Sequence, residues 1–97
     1  MKNSEIEFLI KQGEGYNIEF KRKITKELAN EVCAFCNSTG GIIIIGIDDD
    51  NSIIGANDTN ENRSKLQNTI SAINPKPEIT IEKIDYQDRT LLVVKCE

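Results

Sequence analysis

Histidine and tryptophan are absent from this 97-residue chain, proline occurs twice, and only five residues are aromatic, two Tyr and three Phe. Each shortage narrows the possibilities. Without histidine there is no ordinary imidazole base, and a zinc site would have to be assembled from three thiols and carboxylates, one short of the usual nitrogen and sulfur set. Cys33, Cys36 and Cys96 are therefore read as buried or half-buried thiols of a reduced, cytoplasmic protein, despite the C-A-F-C spacing of the first two. No apolar run approaches the ~18 residues of a membrane span, and the start, MKNSEIEF, has no apolar signal core. The expectation is a cytoplasmic protein without a membrane partner.

The net charge is −4, from 16 acidic and 12 basic residues. This excludes nucleic-acid binding through overall charge, because affinity for a duplex rests on Lys and Arg neutralising phosphates. A local patch remains available. Lys21, Arg22, Lys23 and Lys26 are four of the 12 basic residues in a run of six positions, and charges beyond about 10 Å are screened in 0.1 M salt.

Length and composition fit one globular domain, residues 1–97, which reads as the N-terminal part of a longer protein. Ser4 and Glu7 suggest a capping box opening a short helix, with Ile6, Leu9 and Ile10 on one side and Gly13 at its end. From Tyr16 to Arg22, Ile18 and Phe20 alternate with Glu19 and Lys21, as in a half-buried strand. Thr25 is the expected N-cap of a second helix whose stripe is Leu28, Val32 and Phe35 and which stops before Gly40-Gly41. Ile42–Ile47 is apolar on both faces and reads as a central strand, turning at Asp48–Ser52 into a short antiparallel return, Ile53-Ile54-Gly55. A third helix is expected over Asn60–Ile73, stopped by Asn74-Pro75, and then a hairpin, Glu78–Ile84 with Thr90–Lys95. The fold class is α/β in the α+β sense: a small mixed, mostly antiparallel sheet of about five strands, two main helices and a short N-terminal one, with helices on at least one face.

Two sets of residues carry chemistry. Glu14, Glu19 and Asp48 or Asp49 offer hard oxygen ligands for Mg²⁺ or Mn²⁺ if they converge at one sheet edge, with Lys21 to stabilise charge on a phosphate. The bland reading is a cross-strand ion pair and a turn, since such groups are common on surfaces. The basic run, with Tyr16 to stack on a base or sugar, offers a nucleic-acid surface, against the alternative of a merely solvated face. No Walker motif is present, and Asn37–Gly41 reads as a helix C-cap rather than a phosphate cradle.

These residues resemble the Schlafen-type AlbA domain. The match is G-E-x-x-x-x-E-F-K at Gly13–Lys21, A-F-C-N-S-T-G-G at Ala34–Gly41, and I-I-G-I-D-D ending at Asp49, followed by I-x-G at Ile53–Gly55. The sequence departs from the pattern at Gly15, where Ser is usual, and at Cys36, where Ala is usual. The resemblance implies an α/β fold and, for many bacterial members, a role in DNA binding and transcription control. Other members resemble endoribonucleases that use two glutamates and an aspartate; the motif places these on Glu14, Glu19 and the Asp48-Asp49 pair, with Asp49 the better match, and a lysine on Lys21. Those members use a duplicated clamp, which for a single copy implies a homodimer or weak binding. Three functions follow in order: a nucleic-acid module, for DNA before RNA, using Lys21, Arg22, Lys23, Lys26 and Tyr16; a metal-dependent nuclease using Glu14, Glu19, Asp49 and Lys21; and an interaction domain pairing through an exposed Leu91–Lys95 edge.

Overall fold

A computed structural model describes residues 1–57 and 59–97. The elements run α1 (Asn3–Gln12), β1 (Ile18–Lys21), α2 (Glu27–Cys36), β2 (Gly41–Ile45), α3 (Asn60–Ser71), β3 (Ile79–Tyr86) and β4 (Arg89–Cys96). The expected α+β class stands, with four strands in the order β1-β2-β4-β3. β1 pairs with β2 in parallel, while β2–β4 and β4–β3 are antiparallel. The fifth strand is reduced to one antiparallel bridge, Ile47 with Ile53.

Both faces of the sheet are covered, as the unbroken apolar runs of β2 and β4 require. Ile43, Ile45, Leu92 and Val94 point to one face and pack with Leu28 and Val32 of α2 and Leu66 and Ile70 of α3. The alternate residues, Ile44, Leu91 and Val93, point to the other face and pack with Ile6 of α1 and with Ile18 and Phe20 of β1. Val32, Ile43, Ile44 and Val94 are wholly buried, and burying a side chain of this size is worth about 1.5–3 kcal/mol.

Leu91–Lys95 is not an exposed edge: β4 lies between β2 and β3, and its Leu91–Val94 segment is buried. The edges are β1 and β3. The misreading came from position in sequence, since a terminal strand need not be terminal in the sheet. Two capping expectations also shift. α1 begins one position before Ser4, and Glu5 rather than Glu7 closes its start, its Oε1 accepting from the Lys2 amide at 3.0 Å. α2 begins at Glu27 with Lys26 as N-cap, so Thr25 does not cap it, and the Thr25 carbonyl accepts from Leu28 N at 3.2 Å. α3 is capped as its sequence allows, Thr59 Oγ1 accepting from Asn62 N at 3.1 Å.

Gly46 shapes the site end of the sheet. Its φ of 118° is one that L side chains rarely adopt, and a Cβ there would lie 2.9 Å from Ala56 N and Gly55 C. Its carbonyl accepts from Ile54 N at 2.9 Å and Gly55 N at 2.8 Å. The segment after the aspartate turn is thereby drawn across the end of β2.

Candidate functional site

β1 is an edge strand, so one side of its backbone has no neighbouring strand. Ile42 N donates to Asn17 O and Gly46 N to Lys21 O, so alternate residues of this segment bond inward to β2. The amide of Phe20, facing outward, donates instead to Glu14 Oε2 at 3.1 Å, while Gly15 N donates to Ile18 O. Glu14 thus folds back along β1 and covers a donor that the sheet leaves open.

Glu19 and Lys21 lie opposite Ile43 and Ile45 in the parallel register, on the face covered by α2 and α3. There they meet Glu31 of α2. Lys21 Nζ is 3.2 Å from Glu31 Oε1, an atom buried away from solvent and outside hydrogen-bond alignment with the lysine. Glu19 is pushed up from 4.5 to about 7, first by burial, then by its hydrogen bond to Glu31 and the negative charges of Glu14 and Glu31, with Lys21 pulling the other way. Two carboxyls in contact cannot both ionise freely, and one lysine offsets only part of the repulsion. Glu19 therefore keeps a proton up to near neutrality, directed at Glu31.

The aspartate turn sits beyond the ends of β1 and β2. Asp48 Oδ1 is 3.1 Å from Arg22 Nε and accepts from Asp49 N at 2.8 Å, while Asp50 is held by Ser52, which lowers its pKa. Asp49 is exposed and lines a cavity of about 160 Å³ with Lys21, Arg22, Lys23 and Thr25. Lys21 therefore stands between two groups, the Glu14–Glu19–Glu31 carboxyls and the Asp49 cavity. Of the expected site residues, Glu14, Glu19 and Lys21 come together; Asp49 joins them through Lys21 and the shared cavity.

Glu31 is the member that the sequence reading missed. Its signal was present: a charged residue three positions after Leu28 and one before Val32 falls beside the apolar stripe of α2. As donors to a cation the acids fit poorly. Glu14 spends an oxygen on Phe20, Glu19 holds a proton against Glu31, and among the described residues no three Asp, Glu or Cys side chains gather as a metal-holding group. The basic residues divide as well. Lys21 is turned inward to Glu31, whereas Arg22, Lys23 and Lys26 are exposed, as is Tyr16 at 78%.

The sequence matches the family model described as Schlafen, AlbA_2 over residues 14–97, a span that opens on Glu14 and runs through every element from β1 to β4. The chain belongs to the Schlafen AlbA_2 family. Its fold is similar to the N-terminal domain of a protein from Nitrosomonas europaea described as related to the ATP-dependent DNA helicase RecG, at 25% identity and a TM-score of 0.68, covering 99% of this chain and 73% of that one. It is also similar in fold to the DIP2311 protein of Corynebacterium diphtheriae, at 17% identity and a TM-score of 0.61, covering 96% of this chain and 25% of that one. Among curated proteins nothing matches. In this AlbA_2 domain the described residues include no helix long and apolar enough to cross a membrane, and the three cysteines are free thiols, Cys96 being pushed up to about 12 by burial and by the adjoining Cys36.

Proposed function

We propose that this AlbA_2 domain binds nucleic acid, DNA before RNA, through backbone phosphates, as one module of a longer bacterial regulatory protein. The observation that carries the reading is the exposed row Arg22, Lys23 and Lys26, beside which several acids are held in other interactions while Asp49 and Glu27 stay exposed. Glu31 faces Lys21, Glu19 is half-protonated, and Asp48 takes Arg22 and the Asp49 amide. Four basic residues thus meet at the β1–α2 connection, Lys21 and Arg22 in ion pairs and Lys23 and Lys26 exposed, although the whole chain is acidic. Tyr16, exposed at the other end of β1, lies no more than roughly 20 Å along the chain from Arg22 at about 3.3 Å per residue. That is a span of about six nucleotides of one duplex strand at 3.4 Å each. Support for a nucleic-acid role comes from the family and from the helicase-related neighbour, and the preference for DNA is part of the proposal.

The test is fluorescence anisotropy with duplex DNA, single-stranded DNA and structured RNA across a salt series, for wild type and an Arg22→Glu, Lys23→Glu double variant. Each lost phosphate contact reduces the slope of log affinity against log salt by about 0.9 on duplex DNA, so the double variant should flatten it by about 2 and weaken every sequence alike. Unchanged affinity would sink the reading.

A second reading, phosphodiester cleavage, is favoured by one observation: a carboxyl titrating near 7 beside Lys21. A group of that kind is poised for proton transfer at neutral pH, and perturbed acids concentrate at catalytic sites. Cutting of labelled RNA or DNA, with Mn²⁺ present or absent, that disappears in Glu19→Gln while folding is kept would establish it. Binding without cutting would leave the acids to positioning Lys21.

A further inference from the structure

A cavity of about 210 Å³ opens between the β1–α2 connection and α3, sharing Arg22 and Lys23 with the cavity that Asp49 lines. At about 30 Å³ per water, it has room for several waters, or for a small polyatomic anion with part of what carries it. Its rim is Arg22 and Lys23 from one wall and Asn57, Asn62 and Lys65 from the other. Its floor is apolar, formed by side chains such as Ile45 and Leu92 that belong to the α2–α3 core. No carboxylate lines it among the described residues, which is unusual placement in a chain with more acids than bases.

The wall opposite Lys23 is a built one. Ala56 N donates to Thr90 O at 2.7 Å, Arg89 Nη1 donates to Ile54 O at 3.2 Å, and the Gly46 carbonyl takes two more amides of this segment. Asn62 Nδ2 donates to Asn57 O at 2.8 Å, which ties the segment to the first turn of α3. Lys65 follows Asn62 by three residues and so projects from the same helix side. Among the described residues neither Lys23 nor Lys65 has a carboxylate partner at ion-pair distance, and both line the opening.

We infer that this cavity is a phosphate subsite: one phosphate group of a nucleotide chain sits between Lys23 and Lys65, with Asn57 and Asn62 beside it and the sugar against the apolar floor. The inference rests on the nucleic-acid reading above and extends it, because it makes α3, and not only the β1–α2 row, part of the contact surface. It also gives the bound strand a direction of travel, from the exposed row of Lys26, Lys23 and Arg22 across to α3.

Amide chemical shifts of the folded chain, titrated first with inorganic phosphate and then with a short single-stranded DNA, test it together with Lys65→Ala. Lys65 is exposed and alanine is the better helix former, so the variant should fold. Inorganic phosphate should shift the amides of Asn57, Asn62 and Lys65, and Lys65→Ala should remove those shifts. In oligonucleotide binding the variant should flatten the salt slope by about 0.7–0.9, which at 0.1 M salt amounts to roughly a five- to eightfold loss of affinity. Phosphate shifts at the cavity with unchanged oligonucleotide affinity in Lys65→Ala would overturn the inference and make the cavity a site for free phosphate or mononucleotide. No shifts in either titration at these residues, while Arg22→Glu, Lys23→Glu still weakens DNA binding, would overturn the subsite and leave the general reading intact. Absence of DNA binding in every form would instead remove the reading on which it rests.

Discussion

The proton that Glu19 keeps against Glu31 makes the stability of the domain fall as pH rises through neutrality, opposite to the usual behaviour of a carboxylate that gains a salt bridge. Glu19 is raised from 4.5 to about 7. Between those two values the folded chain keeps a proton that the unfolded chain has released. Stability therefore decreases with pH wherever the native state binds more protons. The stabilisation is full below about pH 4.5 and is lost as pH passes about 7. At 1.36 kcal/mol per tenfold change in proton affinity, a displacement of this size is worth at most about 3 kcal/mol. Glu19 is half-buried rather than sealed, so solvent screening brings the expected loss to about 1–2 kcal/mol.

For a domain of this length such a loss lowers the melting temperature by roughly 5–10 °C. Thermal melts at pH 5.5, 6.5, 7.5 and 8 (the assay points) isolate the effect. Asp50 and Glu27, both lowered, act with the opposite sign, but their contributions are complete once pH exceeds the ordinary carboxylate range. Cys96, raised to about 12, acts only above the ordinary thiol value of 9. Glu19→Gln supplies a permanent neutral donor to Glu31 and should remove the decline, leaving the variant more stable than wild type at pH 8 and no more stable at pH 5.5. A wild-type melting temperature that is level or rising across this range would refute the raised Glu19 carboxyl, as would a Glu19→Gln variant that keeps the decline.

Two further outcomes follow from the fold and the exposed row. Gly46→Val should destabilise by more than about 2 kcal/mol in urea titration, because a residue forced to positive φ is strained and its side chain would also displace the 54–56 segment; the same variant should lose the phosphate-induced shifts at Asn57. Tyr16→Ala should leave the urea midpoint unchanged, since Tyr16 is 78% exposed, while weakening single-stranded binding by about 1–3 kcal/mol if the ring stacks on a base, a difference that anisotropy resolves.

Local patterns carried most of the elements. The stripe Leu28, Val32 and Phe35 located α2, the isoleucine run located β2, and the hairpin of β3 and β4 was visible in its flanking alternation, turning at Gln87 and Asp88, both at positive φ. What the sequence concealed depends on neighbours distant along the chain. Whether β4 is an edge depends on where β3 inserts, and nothing within residues 89–96 records that β2 takes its other side. Glu14 and Glu19 were legible as a pair because they are close in sequence. Glu31 meets Glu19 only because β1 lies parallel to β2 with α2 crossing over it. The Lys23–Lys65 opening is hidden for the same reason, its walls being more than 30 residues apart.

The acidic composition and the proposed phosphate-binding surface are reconciled in part by what the acids along β1 are doing. In a chain with net charge −4, Asp49 already faces the same cavity as Arg22 and Lys23, so the row keeps its charge only if the acids along β1 are engaged elsewhere. Glu14 accepts from the edge amide of Phe20, Glu19 is protonated against Glu31, and Glu31 is set against Lys21. One lysine and one proton thus offset two of these three carboxyls near neutral pH, in a partly buried place. Asp48 holds Arg22 on the outside. The consequence is a dependence between the two halves of the site: once Glu19 loses its proton, an uncompensated negative charge appears on the strand that leads directly into the basic row. Binding to phosphates should therefore weaken from pH 6 to pH 8 in wild type and not in Glu19→Gln, at constant ionic strength. An equal decline in both would show that the carboxyl cluster and the basic row act independently, and the acids would then have no part in tuning the interface.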